Sequence, residues 1–178
     1  MSLPQAPKPA KLIVGMFMPD KGLIDPLAEE LVNLFGPVDL VSAWFPFDYT
    51  AYYQNEMGRP LFRRMMAFKE LIEQSNLSEI KLRTNEIEQK YAQRKKRRVN
   101  IDPGYMLLER FVLATAKNYS HRIYIGKGIY ADLTLIYESG LFKKMPWTYP
   151  DYADKVMLDY LQRVRRKYAL DLKTGNTK

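Results

Sequence analysis

Residues 97–149 are the part of this chain that most constrains its fold. They hold the densest run of β-forming residues in the sequence, including the string H-R-I-Y-I-G-K-G-I-Y-A-D-L-T-L-I-Y, and they contain the only histidine, His121. Runs of Ile, Tyr, Leu and Thr separated by glycines are typical of strands joined by tight turns. We therefore predict a β-rich region in which polar side chains stand among apolar ones, although no motif within it specifies a reaction.

Three elements are predicted at the start of the chain. Residues 11–18 form a short apolar run bounded by proline and glycine, which predicts a buried strand. Residues 25–35 carry leucines at helical spacing and end at Gly36, which predicts a helix. Residues 38–45 place apolar side chains alternately with polar or small ones, which predicts a second strand.

Residues 48–58, D-Y-T-A-Y-Y-Q-N-E-M-G, form a polar and aromatic connection between regular elements. Loops of this kind often carry ligand contacts. The alternative, which we favour, is that the three tyrosines pack over the edge of the core with their hydroxyls in water.

The middle of the chain is predicted to hold a strand and a helix. Residues 61–72 suit either a helix or a strand, and we take the strand. Asn76 and Glu79 form a capping pair before a helix that has an apolar stripe opposite a charged face. The basic run at residues 94–98 is expected at the end of this helix, where cations interact favourably with the macrodipole.

The β-rich segment is predicted to begin with a strand at residues 99–102 and a turn at Asp102-Pro103-Gly104. We predict that Gly104 adopts a conformation costly for other residues, so that alanine there destabilises the fold by about 1 kcal/mol or more. Residues 105–117 are apolar on both sides and fit a helix or a strand. A hairpin follows over residues 122–137, and apolar spacing near the C-terminus predicts an amphipathic helix.

The order β-α-β-β-α-β matches a split βαβ pattern. We predict an α+β fold with a ferredoxin-like βαββαβ core, extended by a β-hairpin region and a C-terminal helix. Residues 11–172 are predicted to form a single domain, with residues 1–10 and 173–178 as loose tails. The sequence does not specify an oligomeric state.

The absence of cysteine excludes thiol catalysis, disulfides and cysteine metal sites. We find no apolar leader segment, and no run approaches the ~20 apolar residues that a membrane span needs. We therefore expect a cytoplasmic protein that has no membrane partner.

Familiar cofactor and catalytic motifs are absent from the sequence. There is no P-loop, no G-x-G-x-x-G after a strand and no H-E-x-x-H, and one histidine without cysteine makes a zinc site improbable. No cofactor is therefore identified. A magnesium site made of carboxylates stays open through Asp102, Asp132 or Glu138, but their spacing does not require one.

His121 is the natural candidate for a general acid or base, because histidine titrates near neutral pH. Asp102 would orient it if the two strands lie side by side. These two residues define one hypothesis, a small metal-independent enzyme that acts on a phosphorylated substrate. The alternative, which we favour, is that His121 is a hydrogen-bonded structural residue.

The net charge of +8 indicates either a solvated basic surface or an anionic partner. Several cations lie in or beside predicted strands, where they have no packing reason to recur. We predict that they gather on one basic face that binds a phosphate-bearing ligand, either a nucleotide or RNA. The predicted ligand-binding residues are Arg63, Arg97, Arg98, Lys117, Arg122, Lys127 and Tyr105. A third hypothesis is a protein whose sole role is association with a partner protein.

Several strings resemble one prokaryotic family. They are F-P-F-D-Y-T-A-Y-Y-Q-N-E-M-G, I-K-L-R-T-N-E-I-E, V-N-I-D-P-G-Y, H-R-I-Y-I-G-K-G-I-Y and P-W-T-Y-P-D-Y. In this order they resemble domain of unknown function 4416, from residue 11 to about residue 168. The resemblance implies no established activity or catalytic residues. Some members carry an automatic "GTP-binding protein" label, whereas this sequence contains neither a P-loop nor an N-K-x-D motif.

Overall fold

The structure is a computed structural model that describes residues 2–174. The strands are β1 (Ala10–Met18), β2 (Val38–Val41), β3 (Phe45–Pro46), β4 (Phe62–Ile72), β5 (Asn100–Met106), β6 (Arg110–Thr115), β7 (Arg122–Gly126), β8 (Ile129–Glu138) and β9 (Leu141–Lys144). The helices are α1 (Ile24–Phe35), α2 (Gln54–Met57), α3 (Leu77–Tyr91) and α4 (Lys155–Lys173). Met1 and residues 175–178, which we assigned to the tails, lie outside the described residues.

These strands join one antiparallel sheet with the order β2-β4-β1-β5-β6-β8-β7, in which β3 also pairs with β4 and β9 with β8. Strand β1 is buried along its whole length, which explains its unbroken apolar run. Helix α1 connects β1 to β2, and α3 connects β4 to β5. The α+β class is therefore confirmed, and the ferredoxin-like assignment of the first half stays a prediction.

Helices cover both faces of the sheet. Side chains at alternate positions of β1 point to opposite faces, so Leu12 and Ile13 belong to different core clusters. The Leu12 cluster includes apolar residues of α1 and α3, whereas the Ile13 cluster includes residues of α4. The face under α4 also carries Arg63 of β4 and Asp102 of β5, which lie opposite Phe17 and Gly15 of β1.

The turn predicted at Asp102-Pro103-Gly104 is wrong. All three residues lie inside β5 and pair with β1, where Asp102 is opposite Gly15. Gly104 is therefore in extended backbone, not in a conformation reserved for glycine, and it has a different constraint. A Cβ built on Gly104 would lie 2.4 Å from the carbonyl oxygen of Val112 on β6, so the glycine is required by the close approach of two strands.

Smaller differences affect the boundaries of elements. Residues 38–45 form two short strands instead of one, and α3 ends at Tyr91, before the basic run that was expected to finish it. Asn76 precedes α3 but makes no capping hydrogen bond through its side chain. At the tail boundaries, Ala10 already belongs to β1 and Lys173 still belongs to α4.

Over residues 2–174, no helix combines the length and apolarity needed to cross a membrane. The feature that positions the functional site is a local opening in the sheet. Strand β5 pairs with β1 along its whole length, Asn100–Met106, but it pairs with β6 only over residues 104–106. The edge of β5 at residues 100–102 is therefore not joined to β6.

Candidate functional site

A cleft of about 470 Å³ lies where β5 and β6 separate. The sheet contributes Arg63 from β4, Asn100 and Asp102 from β5, and residues 113–117 from the end of β6 and the loop after it. Helix α3 and two aromatic segments, residues 47–53 and 149–152, complete the wall. We refer to this space below as the cleft.

Arg63 is a charged residue buried in the wall of the cleft. Its Nη2 donates to Asp102 Oδ2 at 3.0 Å, and its Nη1 forms an ion pair with Asp151. The guanidinium also lies against the rings of Phe17, Phe47 and Tyr152, at 5.5, 4.9 and 4.8 Å from their centroids. With two carboxylates around it, Arg63 serves as part of the framework and not as an exposed cation.

Helix α3 satisfies the open edge of β5. Lys81 Nζ donates to the carbonyl oxygen of Ile101 at 2.7 Å, and the Ile101 amide donates to Glu88 Oε1 at 2.6 Å. Burial raises the pKa of Glu88, although the nearby charge of Lys81 opposes this shift. Two side chains therefore replace the hydrogen bonds that a neighbouring strand would have made.

Arg97 joins the cleft to the short helix α2. Its Nε and Nη2 donate to the two carboxylate oxygens of Glu56, each at 2.7 Å, and its Nη1 donates to Asn100 Oδ1 at 2.8 Å. The bidentate hydrogen bonds to Glu56 raise the pKa of Arg97 and lower that of Glu56. Sequence reasoning did not predict α2, so this partner of Arg97 was missed.

Arg122 and His121 share one carboxylate. Arg122 Nε donates to Asp132 Oδ2 at 2.9 Å, and His121 Nε2 lies 3.3 Å from the same oxygen. Arg122 also donates to the Lys117 carbonyl oxygen and to the Tyr149 hydroxyl, each at 2.9 Å. Burial opposes the charge of Arg122, but the hydrogen bond to Asp132 helps to raise its pKa. Arg122 therefore fixes the backbone at the mouth of the cleft.

The structure does not bring His121 and Asp102 together. Strands β6 and β8 separate β5 from β7, and His121 precedes β7. Instead, the imidazole stacks on Trp147, with 4.7 Å between ring centroids, and contacts Asp132. Asp102 has Arg63 as its hydrogen-bond partner. The orienting role that the sequence suggested for Asp102 is therefore corrected, because Asp132 is the carboxylate beside His121.

Lys117 differs from the other cations of the cleft. Arg63, Lys81, Arg97 and Arg122 each lie within 4.0 Å of a carboxylate. Lys117 has no such partner among residues 2–174. Its Nζ lies 3.2 Å from the Tyr52 hydroxyl and 4.4 Å from the centroid of that ring. Lys117 is exposed, so it presents an uncompensated positive charge at the mouth.

The remaining predicted ligand-binding residues lie outside the cleft. Arg98 lies 3.4 Å from Asp20 on the surface, and Lys127 pairs with Glu79 at the tip of the β7–β8 hairpin. Tyr105 is buried in a core cluster on the other face of the sheet. The structure thus brings four of the six predicted ligand-binding cations to the cleft, but it pairs three of them with carboxylates.

The magnesium alternative finds no support in the geometry. Glu138 lies in an exposed strand end paired with Lys143, away from Asp102 and Asp132. In the part of the chain from residue 2 to residue 174, no group of three or more His, Cys, Asp or Glu side chains is placed to hold a metal ion.

Two parts of the cleft wall, helix α3 and the segment of residues 48–58, were not assigned to a site from the sequence. The contribution of α3 was overlooked because the residues involved adjoin the apolar stripe of a strongly charged helix; they are Lys81, Asn85 and Glu88. The tyrosines of residues 48–58 were expected to pack on the core edge, and Tyr53 does contact Phe17 and Phe47. The same segment also lines the cleft, so the packing and ligand-contact interpretations are compatible.

Comparison with known proteins gives one match. The model of a family described as "Domain of unknown function (DUF4416)" matches residues 8–168, which is most of the chain. No curated protein and no solved structure matches the chain. The resemblance seen in the sequence strings is therefore confirmed at the level of the family.

Proposed function

Because the chain belongs to this family, whose description assigns no activity, we propose a function from the cleft itself: the protein binds a small phosphate-bearing ligand of nucleotide size. The observation that carries this proposal is Lys117, an exposed ammonium at the mouth of the cleft with no carboxylate partner among residues 2–174. An anionic group of the ligand would pair with it.

The size and lining of the cleft support a small ligand. Its volume of about 470 Å³ falls within the range of roughly 300–1,000 Å³ usual for small-molecule sites. Tyr52 and Tyr53 provide ring faces and edges for a planar group. Of the five cations that line the cleft, four pair with carboxylates, and Lys117 is the one that offers its charge to a negatively charged ligand.

A nucleotide suits this arrangement better than RNA does. A nucleic-acid strand is held through several successive phosphates, which needs a track of available cations. Arg63, Arg97 and Arg122 are already engaged by carboxylates in the cleft, so Lys117 offers one main phosphate contact. RNA therefore becomes an outcome of the binding tests and not the preferred ligand.

The enzyme hypothesis has no specific observation in its favour. His121 is covered by Trp147 and does not converge with Asp102, so these two residues do not form an acid–base pair at the cleft. We therefore propose binding without a catalytic role for His121. A cytoplasmic location belongs to the same proposal, supported by a sequence without cysteine.

Isothermal titration calorimetry tests the proposal. Nucleoside 5′-monophosphates, ribose 5-phosphate and inorganic phosphate are titrated into the wild-type protein, Lys117→Gln and Lys143→Gln. Lys143 is a matched control, since it is a half-exposed lysine paired with Glu138 outside the cleft. A charge-assisted contact worth about 2 kcal/mol predicts an affinity loss of about 30-fold for Lys117→Gln and no loss for Lys143→Gln.

Two results would contradict the proposal. One is the absence of binding by every phosphate-bearing compound in the panel. The other is an unchanged affinity in Lys117→Gln, because it would mean that the phosphate binds elsewhere.

A further inference from the structure

We infer that Asp102 and Tyr152, at the floor of the cleft, bind the end of the ligand opposite its phosphate. This end of the ligand has a planar edge with adjacent N–H donors and a carbonyl acceptor, as in a nucleobase. The inference rests on the proposed function, because it assumes that the phosphate lies at Lys117. It adds the chemical class of the second recognition group and the residues that select it.

Asp102 has an acceptor available to a ligand. Its Oδ2 receives the hydrogen bond from Arg63, whereas Oδ1 accepts no hydrogen bond among residues 2–174 and has Lys81 Nζ at 3.9 Å, beyond hydrogen-bond distance. The Asp102 side chain is 28% exposed, although Arg63 beside it is almost fully buried. A carboxylate that stays open to the cleft while its cationic partner is enclosed is suited to accept N–H groups from a bound molecule.

Two uncharged side chains beside Asp102 each have a buried polar group that lacks a hydrogen-bond partner among residues 2–174. The first is Asn100 Nδ2: Asn100 lies two positions before Asp102 on the same face of β5, and its Oδ1 is already used by Arg97. The second is the Tyr152 hydroxyl, which lies near Gly15, the residue opposite Asp102 on β1. Both residues line the cleft and are at most 3% exposed. Buried groups of this kind are normally hydrogen-bonded, so unpaired ones next to a cleft point to a ligand.

These groups together select the chemistry of the ligand. Asp102 only accepts hydrogen bonds, Asn100 Nδ2 only donates, and the Tyr152 hydroxyl does both. A second phosphate would be repelled by Asp102, and a simple ammonium group would leave the buried donors unpaired. A flat edge with N–H and C=O side by side satisfies both kinds of group.

The wall of the cleft fits a planar ring. Asn85 lies one helical turn after Lys81 on α3 and also lines the cleft. Its amide presents a further donor and acceptor. Tyr53, on the opposite aromatic segment, packs edge-on against Phe17, so its ring is held in place. A base would lie between a fixed aromatic side chain and a helix that offers an amide.

The experiment compares ribose 5-phosphate with the common nucleoside 5′-monophosphates by isothermal titration calorimetry. Ribose 5-phosphate keeps the anionic end and lacks the base. The variants are Tyr152→Phe and Asp102→Asn. Tyr152→Phe is the cleaner of the two, because its hydroxyl has no hydrogen-bond partner among the described residues and its loss removes no hydrogen bond of the fold. Its melting temperature is expected to stay unchanged or to rise, a result that a structural role for the hydroxyl would not give.

For the wild-type protein, at least one nucleotide is expected to bind about tenfold or more tightly than ribose 5-phosphate, because sites built to hydrogen-bond a group discriminate against analogues that lack it. Each variant is expected to reduce this ratio to about threefold or less, while ribose 5-phosphate keeps its wild-type affinity within about twofold. Retained binding of ribose 5-phosphate also shows that the variant is folded.

Two outcomes overturn the inference and leave the proposed function standing. One is equal binding of ribose 5-phosphate and all the nucleotides. The other is a preference for a nucleotide that survives both substitutions. If neither ribose 5-phosphate nor any nucleotide binds, the inference and the proposed function are both wrong.

Discussion

Arg63 Nη2 donates a hydrogen bond to Asp102 Oδ2 at 3.0 Å, across the face of the strand that lies between them. Arg63 belongs to β4 and Asp102 to β5, and β1 separates these strands. The residue of β1 opposite Asp102 is Gly15, where an added Cβ would lie 3.1 Å from the Tyr152 hydroxyl. The absence of a side chain at Gly15 therefore leaves space for the Tyr152 hydroxyl and the Met65 thioether beside the charged pair.

The first prediction concerns this buried arginine. Arg63→Met leaves Asp102 and Asp151 without their shared cation, so the free energy of unfolding should fall by about 3–5 kcal/mol. Urea denaturation measures the loss. Arg64→Met is the matched control, since Arg64 is the next residue on β4, points to the opposite face and stacks on Trp44 at 5.0 Å. A loss no greater than that of the control would show that Arg63 does not hold the two carboxylates in place.

The second prediction concerns Gly104. In Gly104→Ala, the new Cβ would lie 2.4 Å from the carbonyl oxygen of Val112. This oxygen belongs to the backbone in the middle of a sheet, so it cannot move away easily. The expected loss of stability is about 3 kcal/mol, at the upper end of the cost of overpacking. Thermal unfolding of Gly104→Ala and Gly140→Ala distinguishes crowding from backbone strain. Gly140 has a φ of 85° and open space around it, so its loss should be about 1 kcal/mol. Equal losses would contradict the steric explanation.

The sequence predicted the helices and strands that are specified by a local residue pattern. The prediction was wrong where pairing with a distant strand determines the local structure. Strand β1, helices α1, α3 and α4 and the β7–β8 hairpin follow from apolar spacing and glycine positions. Asp102-Pro103-Gly104 has the composition of a turn, but β1 extends alongside it and holds it as a strand. Pro103 is accommodated there because pairing with β6 begins only at Gly104, so the missing N–H interrupts no ladder on that side.

The third prediction concerns the buried ion pairs that fasten α4 to the sheet. Asp171 accepts a hydrogen bond from Lys11 Nζ at 2.8 Å and another from Lys167, and Lys11 is fully buried. Burial alone would raise the pKa of Asp171, but the hydrogen bonds to the two lysines outweigh it and lower the pKa. A depressed folded-state pKa gives stability that is complete above the unfolded value of about 3.9 and is lost as the pH falls through the folded-state pKa.

Asp171→Asn should therefore reduce the free energy of unfolding by about 3 kcal/mol at pH 7, because it leaves Lys11 with Asp39 as its remaining carboxylate. The difference from the wild-type protein should shrink as the pH falls below about 3.9. Urea denaturation across a pH series checks this. A difference that is constant between pH 7 and pH 3 would mean that the effect comes from packing and not from the charge of Asp171.

The candidate site was foreseen in part. Four cations that line the cleft were named from the sequence because cations are unexpected in predicted strands, and Asp102 was named as the residue that would orient His121. Their mutual neutralisation was not foreseen, since it depends on Asp151 and Asp132, which are 88 and 10 residues away from Arg63 and Arg122 along the chain. The opening between β5 and β6 was also not predicted, because no local sequence pattern indicates where two paired strands diverge.

The last prediction separates a nucleotide site from a nucleic-acid surface. With Lys117 as the cleft cation that no carboxylate neutralises among residues 2–174, a single-stranded RNA oligonucleotide held at the cleft should show a log–log salt slope of about 0.7, the value for one phosphate contact. Filter binding over a salt series measures this slope. Lys117→Gln should remove this salt dependence, whereas Arg98→Gln should leave it unchanged, because Arg98 lies outside the cleft beside Asp20.

A slope of about 2 or more that persists in Lys117→Gln would contradict this prediction, because it would indicate three or more phosphate contacts elsewhere. The outer face of α4, with Arg163 and Arg166, would then be the surface to test by substitution.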